Sequence, residues 1–218
     1  MFFVPVVYAA TEYKIADYWP FKEGAWWEFN DGKIEITGTE EINGINTFKY
    51  LDTGSCSVGE GEGEGEGEGE GSGGGEALHL VNDDTNGFGF FLQSEDESYT
   101  MVKLIEPYVK KGDKTKVSFK DSGDREQTTL VIKLQGTANV VVPAGKFKKC
   151  LRFSVKLKAR HTDGTYSYST ERVYLAKGVG LVKVVSVKQS TEEDCTWGVG
   201  GRDVFNGIRE LKDYSLAD

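Results

Sequence analysis

The chain is short of the residues that most metal and nucleotide chemistry requires. It holds two histidines, His79 and His161, and no paired-cysteine spacing, so a tetrahedral zinc site has no support. No Gly-rich run carries the lysine and the strand–turn–helix setting of a phosphate loop or dinucleotide fingerprint. Beyond the start of the chain no apolar run approaches the ~20 residues that span a bilayer as a helix. Only four prolines occur and no long helical period appears, which leaves strands as the element to read. Neither a cofactor nor a metal is expected. An overall charge of −9 argues against general nucleic-acid binding.

The clearest pattern runs from Val140 to Lys188. Leu151, Phe153, Val155, Leu157 and Ala159 alternate with Arg152, Ser154, Lys156, Lys158 and Arg160. That period of two predicts an antiparallel strand with one face on a core and one in water. His161-Thr162-Asp163-Gly164 supplies turn chemistry, and Tyr166–Ala176 returns as the partner. Gly178-Val179-Gly180 then bends the chain into a third strand at Leu181–Val187. This region is also the basic one. Between Val140 and Ser190 eleven Lys or Arg face only Asp163 and Glu171, a local +9, so the remainder carries −18. Seven of those negative charges are Glu60 to Glu76. Such a basic strand face suits an anionic headgroup or polymer, or more simply the protein's own acidic part or water.

Met1–Ala9 reads as the end of a secretory signal peptide, with Val7-Tyr8-Ala9 at the cleavage positions. A single exported β domain, periplasmic or extracellular, is expected over residues 10–218. Residues 57–76 form a Gly–Glu insert that has no apolar surface to bury and is expected to be a disordered loop. Asp31-Gly32 and Asn43-Gly44 are hairpin turns of a meander beginning at Trp26 and Trp27, which point to opposite faces. Ile208–Tyr214 closes the chain as a short strand or helical turn.

The sequence also echoes itself. Trp19-Pro20-Phe21-Lys22-Glu23-Gly24 is answered by Glu106-Pro107-Tyr108-Val109-Lys110-Lys111-Gly112, and Ile36-Thr37-Gly38-Thr39 by Leu134-Gln135-Gly136-Thr137. Asn43-Gly44 falls near where Pro143-Ala144-Gly145 does. Two degenerate meander half-repeats would give one strongly curved antiparallel sheet, either a half-open barrel or a two-sheet sandwich. The fold class is all-β.

A curved sheet rich in aromatics can enclose an apolar cavity. Trp19, Trp26, Trp27, Phe29, Phe153, Val155 and Tyr174 are the candidate lining residues for an apolar or amphipathic ligand, or a partner protein, on the concave face. The alternative is a structural or surface domain in which these residues are ordinary core. Cys56 and Cys195 are a candidate disulfide between two Gly-rich segments, although spacing alone cannot fix connectivity, and Cys150 reads as a buried thiol. Asp52-Thr53-Gly54-Ser55 with Asp121-Ser122-Gly123 matches the aspartic-protease signature. Neither segment runs into the supporting apolar strand such a site needs, and both read more simply as turns. No other catalytic constellation is present, so an enzyme is not expected.

Tyr18-Trp19-Pro20 with Gly24 and Trp27, Val142-Pro143-Ala144-Gly145-Lys146-Phe147 with Cys150, and Tyr174 with Gly178-Val179-Gly180-Leu181-Val182-Lys183 together resemble a broad group of uncharacterised bacterial exported β-domains. These are often lipoproteins and are similar in outline to the lipoprotein-carrier half-barrels. The resemblance covers most of Tyr18–Lys188 and implies fold rather than activity. No cysteine follows the leader junction to carry a lipid anchor, and the Gly–Glu insert departs from many such proteins.

Overall fold

The computed structural model describes residues 10–53, 78–94, 97–120, 125–189 and 207–217. The leader at 1–9, the insert at 57–76, Cys56, Cys195 and Asp121 lie outside the described residues.

The chain enters through β1 (Glu12–Lys14) and a 3-10 turn at Ile15–Tyr18. A first meander follows: β2 (Trp26–Phe29), β3 (Gly32–Ile42), β4 (Ile45–Asp52), β5 (Leu78–Asp83), β6 (Gly87–Gln93) and β7 (Tyr99–Ile105). A second entry strand, β8 (Tyr108–Lys110), opens a second meander. It comprises β9 (Lys114–Phe119), β10 (Arg125–Val142), β11 (Gly145–His161), β12 (Tyr166–Ala176), β13 (Gly180–Gln189) and β14 (Ile208–Ser215). The closing segment is therefore a strand. Twelve strands make one antiparallel sheet in the order β7-β6-β5-β4-β3-β2-β14-β13-β12-β11-β10-β9, while β1 pairs with β8. The sheet curves until β7 approaches β9 without a ladder, a barrel nearly closed with one seam.

The two meanders share their backbone devices. In the first, the Gly24 amide donates to the Ile36 carbonyl at 2.8 Å and the Ile36 amide to the Ala25 carbonyl at 2.9 Å. In the second, the Gly112 amide donates to the Leu134 carbonyl at 2.8 Å and the Leu134 amide to the Asp113 carbonyl at 3.0 Å. A bulge follows each anchor, between Ile36 and Gly38 and between Leu134 and Gly136, and both long hairpins bend there. The tip of β3–β4 reaches β7, where the Asn43 side-chain amide donates to the Tyr99 carbonyl and Ile42 and Ile45 pack on Val81, Phe91 and Met101. The tip of β10–β11 reaches β14, where the Ala144 amide donates to the Leu211 carbonyl at 3.0 Å. Asn43 and Gly44 both take positive φ, as an Asn-Gly hairpin turn requires.

Closure is reciprocal. Phe90 opposes Leu80 as Leu181 opposes Leu175, so Gly87-Phe88-Gly89 corresponds to Gly178-Val179-Gly180. A Cβ on Gly87 would lie 2.2 Å from the Ile105 carbonyl oxygen, just before the second entry strand. Gly178 donates to the Asp17 carbonyl, and Gly180 lies against Trp19 and Trp27 of the first. Gly87 thus leans on the segment leading into the second entry, and Gly178 and Gly180 lean on the first half, while Gly89 packs on β7 of its own half. At that end Trp19 stacks on Phe88 at 4.7 Å, Phe21 meets both rings, and the Trp27 indole N–H donates to the Val179 carbonyl. These rings and the inward residues of the strands form one continuous buried core.

Candidate functional site

Period two sorts the seven candidate lining residues. Trp27, Phe29 and Phe153 face the core and are buried, and Val155, partly buried, joins them two residues along β11. Trp19 is buried in the cap, stacked on Phe88. Trp26 lies on the opposite face from Trp27, where the Lys33 ammonium sits 5.2 Å from its ring centroid. Tyr174 opposes Arg152 while Val173 opposes Phe153, so Tyr174 shares the outer face with Arg152. The structure brings four of the seven to the concave face and places one in its cap. Trp26 stands outside, while Tyr174, on the outer series of β12, is partly buried and still packs against the core.

The far end of the barrel interior is polar. Arg209 opposes Val184 on β13, on the same face as Leu211 and Phe29, and its guanidinium lies 5.0 Å from the Phe29 ring centroid. Its Nε donates to both Asp31 oxygens at 2.9 and 2.7 Å, and Nη1 and Nη2 donate to the two Asp52 oxygens at 2.9 and 3.1 Å. All three side chains are only 13–14% exposed. Burial works against the guanidinium charge, but the Asp52 and Asp31 carboxylates outweigh it and hold its pKa above the ordinary value. Burial likewise pushes the neighbouring Tyr50 hydroxyl well up, and Asp52 adds to the effect. One fork-to-fork contact to Asp52 and one bifurcated contact from Nε to Asp31 engage all three guanidinium nitrogens, so Arg209 acts as a clamp joining β14 to the β2–β3 turn and the end of β4.

Beside the clamp stands an acceptor-rich wall built on β10, β11 and β12. Thr128 opposes Ala159, which opposes Ser167, and one step along Leu157 opposes Ser169. Thr128 and Ser167 are fully buried, Ser169 and His161 nearly so, and a His161 ring nitrogen lies 3.1 Å from the Ser167 hydroxyl. Among the described residues the Thr128 hydroxyl finds no hydrogen-bond partner. Glu171 follows Ser169 on the same inward face, opposite Val155. Burial pushes its carboxyl up to about 7, with Arg209 working in the other direction. Glu171 therefore exchanges its proton near neutrality, inside the sheet.

Sequence reading singled out none of Arg209, Asp31, Glu171 and Thr128 as site residues. Parity on β12 carried a signal, because Glu171 occupies the inward series of Ser167, Ser169, Val173 and Leu175. Asp52, half of the protease motif, has both oxygens engaged by Arg209. Cys150 is fully buried, and burial raises its thiol pKa. Among the described residues no three His, Cys, Asp or Glu gather to hold a metal. No helix there is long and apolar enough to cross a membrane.

No family model matches the chain, and no curated protein matches it. Two solved structures match over most of the chain. One, a candidate lipoprotein of Parabacteroides distasonis, is 13% identical, covers 91% of this chain and 98% of its own, and gives a TM-score of 0.46. The other, a candidate exported protein of Bacteroides fragilis with a YmcC-like fold, is 10% identical, covers 92% and 99%, and gives 0.39. Both descriptions fall within the group of exported β-domains that the sequence resembles. At these scores neither carries an argument about activity.

Proposed function

We propose that this chain is an exported, non-enzymatic single β domain, periplasmic or extracellular, that binds an amphipathic small molecule on its concave face. The observation that carries the reading is the change in that face along the barrel. Phe29, Phe153 and Val155 give way to Glu171 and the unpartnered Thr128 hydroxyl on the wall beside them. Apolar surface next to a desolvated acceptor suits a ligand with an apolar body and a hydrogen-bond-donating or cationic head. Arg209 is not the recognition group, because all three of its guanidinium nitrogens already donate to Asp31 and Asp52.

Native mass spectrometry of the mature protein, purified without detergent, tests this directly. The expected result is a discrete extra mass that is lost on denaturation and reduced in Glu171→Gln and Thr128→Val. A bare polypeptide mass would sink the reading and favour the second one, a surface or structural domain with a filled core. That second reading is supported by the ring-to-ring packing of Trp19, Phe21, Trp27 and Phe88.

A further inference from the structure

We propose that the outer face of β9–β12 is a docking surface for an anionic lipid bilayer. Cross-strand register builds this face from cations. Lys114 stands directly opposite Lys133, and the row continues through Ser154 to Arg172. The next row runs Lys116, Val131, Lys156 and Thr170, and the one after it holds Lys158 opposite Tyr168. All six cations are exposed, and among the described residues none takes part in an ion pair. Among the residues whose side chains are described, no carboxylate shares this outer face.

By contrast, four of the five lysines before β8 meet carboxylates. Lys14 meets Asp84, Lys33 meets Glu35, Lys49 meets Glu40 and Lys103 meets Glu106. Like charges opposite one another across a ladder destabilise a sheet. A chain of net charge −9 has carboxylates in plenty, yet places none of those described among these strands' outward residues. The unmatched charge is available to a partner of opposite sign.

Geometry favours a surface over a linear polymer. The cations spread across four adjacent strands, about 14 Å wide at ~4.8 Å per strand step, as well as along them. Such an array is two-dimensional and follows no single row. At its edge Tyr166 and Tyr168 stack on one another, 43% and 44% exposed, with the Lys158 ammonium 4.1 Å from the Tyr166 ring centroid. Exposed amphipathic rings beside cations suit a headgroup layer.

The test is co-sedimentation of the full chain with phosphatidylcholine vesicles, with and without phosphatidylglycerol, at low and high salt. Binding is expected only with phosphatidylglycerol and is lost at high salt. Each lysine contributes about fivefold in partitioning, so Lys156→Glu/Lys158→Glu should lower binding by more than about 25-fold. The matched Lys49→Glu/Lys103→Glu should bind as the parent does, with thermal melts showing that both variants are folded. Binding to neutral vesicles, no binding to anionic ones, or indifference to the Lys156/Lys158 reversal would overturn the proposal. So would capture by soluble polyglutamate without vesicle binding, which would make the face a polymer site.

Discussion

Gly87 begins β6 against the segment that leads into the second meander, and Gly178 and Gly180, in the turn before β13 and at its first residue, lie against the entry of the first. The anchoring amides, the bulges and the folded hairpin tips correspond in the same way. Side-chain chemistry does not follow. All five lysines before β8 are bonded, four to carboxylates and Lys22 to the Ala217 carbonyl. Among the described residues, Lys114, Lys116, Lys133, Lys156, Lys158 and Arg172 on the outer face of β9–β12 pair with no carboxylate. Closure differs too. β14 completes a ladder with β2, whereas the corresponding β7 stops short of one with β9. Backbone geometry is the conserved quantity between the halves because a tight turn or close approach tolerates few residues. An outward strand position tolerates many, and there the halves have gone separate ways.

The corresponding glycines give the largest expected contrast. Gly87 has φ +74°, and an added Cβ would sit 2.2 Å from the Ile105 oxygen and 2.8 Å from the Pro107 nitrogen, both backbone atoms that cannot step aside. Gly87→Ala should cost about 4 kcal/mol or abolish folding. Gly178 has a similar φ of +71° with nothing within 4 Å of a Cβ, so Gly178→Ala should cost only about 1 kcal/mol. Urea denaturation of the pair measures both. Equal costs would mean that conformation, not contact, sets the first value.

Next in size is the clamp, where the second meander's last strand is fastened to the first meander. Arg209→Met leaves Asp31 and Asp52 facing each other with little solvent and should cost about 3 kcal/mol. Adding Asp31→Asn and Asp52→Asn should recover most of the loss, because the uncompensated charges go with it. If the triple variant is as unstable as Arg209→Met, the clamp's value lies in its packing on Phe29 instead.

These effects separate what was legible in the sequence from what was not. Alternation in β11, the Asn43-Gly44 turn and the echo of Ile36–Thr39 in Leu134–Thr137 were readable, because each is local or a repeat of something local. They predicted an all-β curved sheet from two meanders, and that is the fold. The barrel rather than the sandwich could not be read, since the β14–β2 ladder joins residues that are far apart in the chain. Arg209 and Asp31, separated by 178 positions, were invisible as a pair for the same reason. Trp26 and Tyr174 were grouped with the concave face by composition, while parity puts both on the outer series, Tyr174 partly buried against the core.

Glu171 sharpens the contrast inside the sheet, since it stands on the inward face of the second meander. Its carboxyl titrates near 4.5 unfolded and about 7 folded, so between these values the folded chain holds more protons. Stability should therefore be greatest at the acid side of that window and fall as pH rises from about 4.5 to 7. Glu171→Gln should remove this slope and gain roughly 2 kcal/mol at pH 8, less than the full shift because the side chain is partly exposed. Denaturation of both proteins across that range decides it, and parallel curves would place the charge in solvent.

The smallest effects bear on the outer faces, and there the two halves should respond with opposite signs. Lys133 faces Lys114 across the ladder, so Lys133→Glu converts a repulsion into an attraction. Lys49 is 3.0 Å from Glu40, so Lys49→Glu does the reverse. Each change should amount to about 0.5 kcal/mol at low salt, a gain for the first and a loss for the second. Raising salt to about 1 M should erase both, because the screening length falls to ~3 Å. A face left unmatched against its own stability is what a surface reserved for an anionic partner predicts. If Lys133→Glu instead destabilises, the cations of β9–β12 are already satisfied within the fold and the two halves differ less than their charges suggest.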